Sequence, residues 1–296
     1  MELLYNKGMK LSLCLAVYNE EKNLHYPLDS IIDIVDEVII VDGGSTDKTI
    51  EIAKSYGKKV KIINSDNPVM FHKNKQKAIE AATGEWILQL DADEELTQEL
   101  KQEIKDIIRY NQIESDKISQ KETDSIRLNP ISSNSIVAYN IPRKNWFLSG
   151  FLMKGGQYPD YTIRLYRNGY VRFPCKDVHE NVEIIENLNI ENSLKNENCK
   201  LKIGFLKNPL LHYADPDFSR YLLRWDRYTT AEVERMPKGT NLNFFNYFIW
   251  KPFSTFFLMY FRHKGFMDGF PGFVFSLFSA IRYWVIYIKW RTRLLS

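Results

Sequence analysis

The first third of the chain alternates short apolar runs with polar, capped stretches. Lys10–Tyr18 (KLSLCLAVY), Glu37–Asp42 (EVIIVD), Lys59–Ser65 (KVKIINS) and Glu85–Asp91 (EWILQLD) are apolar runs of strand length. Each predicts a buried strand. Between them, Ser45–Gly57 opens on Ser, Thr and Asp and stops at a glycine, and His72–Gly84 spaces Ala and Ile as a helix does. Both predict helices, the first with its capping residues in place. Strands alternating with helices imply an α/β fold, a mostly parallel sheet with helices on both faces. Ligands of such sheets bind outside the carboxyl ends of the strands. Three polar clusters fall there: YNEE after the first strand, DGGSTD after the second and DADE after the fourth.

Further along, the pattern breaks down and then changes character. Residues from Asn111 to Ser135 are polar, with several serines, and read as an exposed insertion or loop. Residues 185–200 are rich in Asn and Glu. The last sixty residues are crowded with aromatics. Phe244–Phe261 is apolar but interrupted by Lys251 and Pro252, and Phe273–Trp290 is broken by Ser276, Ser279, Arg282 and Lys289. Neither is the unbroken run of about twenty apolar residues expected of a membrane-crossing helix. The second keeps its polar residues on one side and is followed by Arg291 and Arg293, the pattern of a helix lying in a membrane interface. A dimer interface or a helical cap over the sheet is the alternative reading.

Composition narrows the field. With 296 residues, 44% hydrophobic and 26% charged, the chain can bury a core. Its net charge of +3 argues against a dedicated nucleic-acid binder. Cys14, Cys175 and Cys199 form no CxxC pair and read as reduced thiols of a cytosolic protein. The first ten residues, MELLYNKGMK, hold no apolar stretch of signal-peptide length.

The acids at the strand ends carry the candidate chemistry. Asp91 and Asp93, flanking Ala92, offer hard oxygen ligands for Mg²⁺ or Mn²⁺, and such an ion also grips paired phosphates. A surface turn is the bland alternative, but a turn does not need a buried strand in front of it. Asp42 is placed to hydrogen-bond a base or ribose, and the glycines after it allow a sharp turn. Tyr18, Asn19 and Glu20 end the first strand, where they would hold a nucleoside or simply begin a helix.

Together, LCLAVYNEEKNL, IIVDGGSTDKT and LQLDADEEL, in that order and spacing, resemble the family-two glycosyltransferases with the GT-A fold. The resemblance covers about the first hundred residues strongly. It implies an inverting enzyme, a nucleotide-diphosphate-sugar donor (a UDP-sugar before others) and a divalent cation. Ala16, Tyr18 and Glu20 match the family's nucleotide-binding first loop and Asp42 its base-contacting acid. Lys73, Asn74 and Lys77 fall where the family often carries an Arg-Asn pair. Asp91, Ala92 and Asp93 match its metal and diphosphate motif.

Inversion needs a carboxylate to deprotonate the acceptor hydroxyl. The family places it shortly before an R-L-x-R-x-G-like stretch, and here Asp160 stands four residues before Arg164. The usual Glu-Asp is replaced by Pro159-Asp160, which leaves Asp177, His179 and Glu180 of KDVHENV as rivals, Glu180 first. The set Y-P-D, R-L-Y-R and V-H-E resembles a bacterial subgroup that includes lipopolysaccharide-core β-glucosyltransferases. The expectation is a catalytic domain over 1–240, with the polar insertion at about 111–135, and a membrane-associating helical region over 241–296. Its setting would be the inner membrane face, its acceptor a glycolipid or surface polysaccharide, and a homo-oligomer is left open. Two alternatives are a nucleotidyltransferase, disfavoured because the first loop is neither Gly-rich nor basic, and an inactive membrane scaffold.

Overall fold

The computed structural model describes residues 10–68, 70–121, 136–175, 181–185, 201–237 and 239–293. The described chain forms two compact units that interleave in sequence, 1–142 with 161–210, and 143–160 with 211–296. The sequence reading places one boundary at 240–241. The structure instead joins 241–293 to the stretch before it, because helix Phe218–Glu234 packs its aromatics against the C-terminal helix.

In the first unit, strands β1 (Leu11–Val17), β2 (Glu37–Asp42), β3 (Val60–Asn64) and β4 (Trp86–Leu90) are parallel, in the order β3-β2-β1-β4. Every residue of β2 and β4 is buried. That is the mark of strands covered on both faces, and it is why they read as continuous apolar runs instead of alternating. The connecting helices are α1 (His25–Ile31), α2 (Thr49–Ser55) and α3 (His72–Ala81). The order reverses beside β1, the point at which sheets of this kind bind ligands outside the carboxyl ends of their strands.

After β4 come the short strand β5 (Glu94–Leu96), helix α4 (Gln98–Lys121), β6 (Ile136–Phe147), β7 (Gly150–Phe151) and β8 (Asp160–Arg167). Within the first unit β8 lies antiparallel to β4, pairing Leu165 with Leu88, so the sheet is mixed beyond its parallel half. Residues 111–121, expected in a polar insertion, continue α4, and the rest of that stretch lies outside the described residues. The remaining strands are β9 (Val171–Arg172), β10 (Glu183–Ile184), β11 (Lys202–Phe205, parallel to β6) and β12 (Leu210–Asp215).

One carboxylate staples the amino ends of the parallel strands. Glu37 accepts bonds from Ser12 Oγ (2.7 Å), Thr83 N (2.6 Å), Thr83 Oγ1 (2.8 Å) and Lys61 Nζ (2.7 Å). Burial would raise its pKa, but the four donors outweigh that and bring it down from 4.5 to about 2. Glu37→Ala should therefore cost about 2 kcal/mol in urea melts at neutral pH, since it strands Ser12 and Thr83. The folded pKa is the lower one, so the Glu37 contribution is full above about 4.5 and fades as pH falls toward 2. The gap between wild type and variant should close over that range.

The second unit holds α5 (Phe218–Glu234), α6 (Lys251–Phe256) and α7 (Gly269–Arg293). Asp217 caps α5 by accepting the Arg220 amide at 2.8 Å. π-helical segments at Asn246–Trp250 and Phe257–Arg262 flank α6. The interruption seen at Lys251-Pro252 is therefore no break in the helical run. Pro252 is buried at the junction where the π-helical turn passes into α6. By length and composition, the 29-residue stretch Gly265–Arg293 would be able to cross a membrane.

Candidate active site

The loops after β1 and β2 are knitted together by side chains. Ser45 Oγ accepts the Asn19 amide (2.9 Å), Thr49 Oγ1 accepts the Glu20 amide (2.7 Å), and Asn19 Oδ1 accepts the Thr46 amide (2.8 Å). Asn19 adopts φ 55°, a conformation Asn tolerates better than most side chains. Gly44, at φ 84°, carries the sharp turn expected of it. The Ser-Thr-Asp run thus serves mainly to fix the first loop. Asp42 is buried, and its oxygens accept from the Gly44 amide and from the amide and hydroxyl of Ser45. In this state it holds its own turn. Tyr18 stands exposed at this edge, Ala16 is half-buried within β1, and Glu20 accepts from Asn23 Nδ2 at 2.7 Å.

At the end of β4, the acids of DADEE divide their work. Glu94 is fully buried. One oxygen accepts the Asp91 amide (2.9 Å) and the other accepts Arg164 Nη2 (2.7 Å), so Glu94 folds the turn. Arg164 also donates to Gln89 Oε1 (2.6 Å) and Asp91 Oδ2 (2.7 Å). It arrives there because β8 runs antiparallel to β4, which brings its early residues beside the carboxyl end of β4. Burial would weaken the charge on Arg164, but Asp91 and Glu94 hold its pKa above even the usual arginine value.

Lys75 supplies a second cation. Its Nζ pairs with Asp91 Oδ1, beside the rings of Phe71 (5.1 Å) and Phe173 (5.9 Å). The sequence reading chose Lys73, Asn74 and Lys77 instead. Asn74 is buried and bridges Ser65 Oγ (2.9 Å) to the Asp66 carbonyl (2.8 Å), and Lys77 donates to Ser65 Oγ (2.6 Å). Lys73 is exposed. Helical phase singles out Lys75: with Ala78, Ile79 and Ala82 it shares one buried face, and a lysine there needs an acid.

Among the described residues, no group of three or more His, Cys, Asp or Glu side chains is placed to hold a metal ion. Two carboxylates are still the right number for Mg²⁺ or Mn²⁺ arriving with a diphosphate, since such ions take one or two protein oxygens plus phosphates and water. Asp91 faces two cations, Lys75 and Arg164. The residues fit a metal that comes with its nucleotide better than a resident one.

The second unit contains the other candidate group. Three donors converge on Asp160 Oδ2: Arg143 Nε (3.0 Å), Arg143 Nη2 (2.7 Å) and Asn145 Nδ2 (3.0 Å). Asn145 is oriented in turn by His212 Nδ1 at 2.7 Å from its Oδ1. Burial would raise the Asp160 pKa, but the Arg143 charge, the Asn145 and Arg143 bonds and nearby His212 together bring it below the usual carboxylate range. One oxygen is thus pinned, and Oδ1 accepts none of the described bonds. The group is held in place, ionised and partly open to solvent. Asp177, His179 and Glu180 lie outside the described residues. Arg224 pairs with Asp215, and Trp225 donates to the Phe278 carbonyl at 3.3 Å.

Residues 12–154 match the profile described as Glycosyl transferase family 2, which takes in β1, the Asp42 turn, Lys75 and the Asp91–Asp93 pair. An uncharacterized glycosyltransferase of Rickettsia bellii (strain RML369-C) is 25% identical over 279 residues, covering 92% of this chain and 82% of its own. The lipopolysaccharide core biosynthesis glycosyltransferase LpsC of Rhizobium meliloti (strain 1021) is 23% identical over 282 residues, covering 92% and 88%. Among solved structures, S. aureus TarS 1-349 in complex with UDP aligns over 96% of this chain and 90% of its own, at 17% identity and a TM-score of 0.43, too low to argue from. On the sequence match, residues 12–154 carry a glycosyl transferase family 2 domain, and the chain is a sugar-transferring enzyme.

Proposed function

We propose that the protein is an inverting glycosyltransferase that moves a hexose from a UDP-sugar to a glycolipid or surface-polysaccharide acceptor at the inner face of a membrane. The observation that carries this reading is the Asp91–Asp93 pair at the carboxyl edge of four parallel strands, with Lys75 and Arg164 already set against it. A diphosphate arriving there would meet Lys75 and Arg164, and Asp93 would hold the cation that comes with it. The cation supplies charge neutralisation for the departing diphosphate. The loops after β1 and β2, locked by Asn19 and Ser45, would seat the nucleoside beside Tyr18. Asp160 Oδ1 would accept the proton of the attacking hydroxyl while Arg143 and Asn145 keep Oδ2 in place. The likeness to LpsC supports a lipopolysaccharide-type acceptor.

The test is a thermal-shift panel of UDP, GDP, CMP and dTDP, with and without Mn²⁺. A ligand that binds only the folded state raises Tm by mass action, about 2.7 kcal/mol at a hundred times Kd. UDP should stabilise the protein, more so with Mn²⁺, and Asp93→Asn should abolish the metal-dependent part. No shift with any nucleotide would overturn the donor site. An undiminished Mn²⁺ effect in Asp93→Asn would remove the metal role.

A further inference from the structure

The C-terminal segment of the second unit exposes more aromatic surface than a soluble helix pair needs, and this surface is ordered. Phe245, Ile249, Phe253, Phe257 and Phe261 are all exposed and recur at every fourth residue. Four residues overshoot one α-helical turn by about 40°, so a four-residue repeat would drift around an ordinary helix. Here π-helical turns precede and follow α6, and four residues fall short of a wider π turn. The alternation cancels the drift and leaves one straight apolar stripe. On α7, Phe270, Phe273, Trp284 and Ile288 are exposed, with half-buried Leu277 and Ile281 between them. Their spacing of three or four residues makes a second stripe along the whole helix.

The opposite side of α7 is occupied. Phe278 packs on Tyr221 and Trp225 of α5, Lys289 bonds Asp226 and Thr230, and Arg282 pairs with Glu232. A helix held this way cannot cross a bilayer without leaving α5. The two helical runs are joined as a hairpin by Trp284 Nε1 donating to the Phe248 carbonyl at 2.8 Å. At its bend, a Cβ on Gly272 would run into the Gly265 carbonyl, so the turn needs glycine there. The bend is also bonded to the stretch that leads into Asp160. Gly155 N donates to the His263 carbonyl (2.9 Å) and Lys154 N to Asp268 (2.7 Å).

Charge identifies the occupant. Residues 241–296 hold seven Lys and Arg and a single acid, Asp268, which is the one bonded to Lys154. Arg262, His263 and Lys264 are exposed at the bend, and Arg291 near the other end of α7. Apolar stripes flanked by Trp and by basic ends match an anionic lipid surface. We propose that this hairpin lies flat in the interface of an anionic bilayer, both stripes in lipid, and that its bend holds the Asp160 segment at the lipid surface. The proposal rests on the lipid-linked acceptor reading and names the surface by which that acceptor is reached.

The experiment uses the full chain and vesicles of phosphatidylglycerol and phosphatidylcholine at 3:7, against phosphatidylcholine alone. Wild type should sediment with the anionic vesicles, less so at high salt, with a blue shift of the Trp250 and Trp284 emission, both side chains being exposed. The triple variant Phe253→Ser, Phe257→Ser, Phe270→Ser removes only exposed rings and should fold normally. It should partition about 100-fold less, with its UDP thermal shift unchanged. Lipids brominated near the headgroup should quench the tryptophans more than lipids brominated at the chain end. Stronger quenching from the chain end, equal partition of the variant, or no binding by wild type would overturn the proposal. So would a wild-type dimer that the variant turns into a monomer, which would assign the stripes to a second copy. Loss of the UDP shift in wild type is a separate readout and would strike the donor site instead.

Discussion

Asp160→Asn is expected to lower kcat by about 10²–10⁴-fold, the range carried by a positioned general base, while the UDP thermal shift is kept. The substitution preserves shape, so Arg143 and Asn145 retain a partner oxygen, but the group can no longer take a proton. Donor contacts belong to other residues, which is why binding and turnover should separate. The pH profile makes a second readout. Because the Asp160 pKa lies below the usual carboxylate range, the group stays ionised through mild acid, and no loss of activity above about pH 4 should trace to it. Asn145→Ala should leave the protein folded but free the carboxylate to move, costing kcat more than KM. If Asp160→Asn turned over within about threefold of wild type, the base would have to be sought elsewhere, with Glu180 first.

Arg164→Met is expected to have the largest effect on stability, about 3–5 kcal/mol, a fall in Tm of roughly 10 °C. The guanidinium is buried and pairs with fully buried Glu94 as well as with Asp91. Removing it takes a charge-assisted bond from each of these carboxylates inside a buried network. Arg164→Met combined with Glu94→Gln should recover part of the loss, since the Glu94 charge is then gone too. Differential scanning calorimetry measures both. A drop in Tm under about 2 °C for the single variant would mean the network is not the keystone described here.

Much of this protein was legible from its sequence. Strands β1, β2 and β4 are covered on both faces, so burial demanded unbroken apolar runs; β3, expected to be buried as well, is the edge strand and buries none of its five residues. The acids had to follow them, because only a strand end in a parallel sheet opens onto a crevice. The sequence was weaker wherever a polar side chain is buried by a distant partner. Lys75 reads as one lysine among several until α3 turns it inward onto Asp91. Arg164 and Glu94 are 70 residues apart, and their pairing depends on β8 returning antiparallel beside β4. Asp160 is a lone acid in the sequence, and it becomes a held, ionised group only when β6 brings Arg143 and Asn145 and β12 brings His212. Local patterns of hydrophobicity determine which segments are strands and helices, because burial acts on each segment as it stands. The pairing of charges is decided by topology, because Coulomb and hydrogen-bond terms act only over the few ångströms that the folded chain creates.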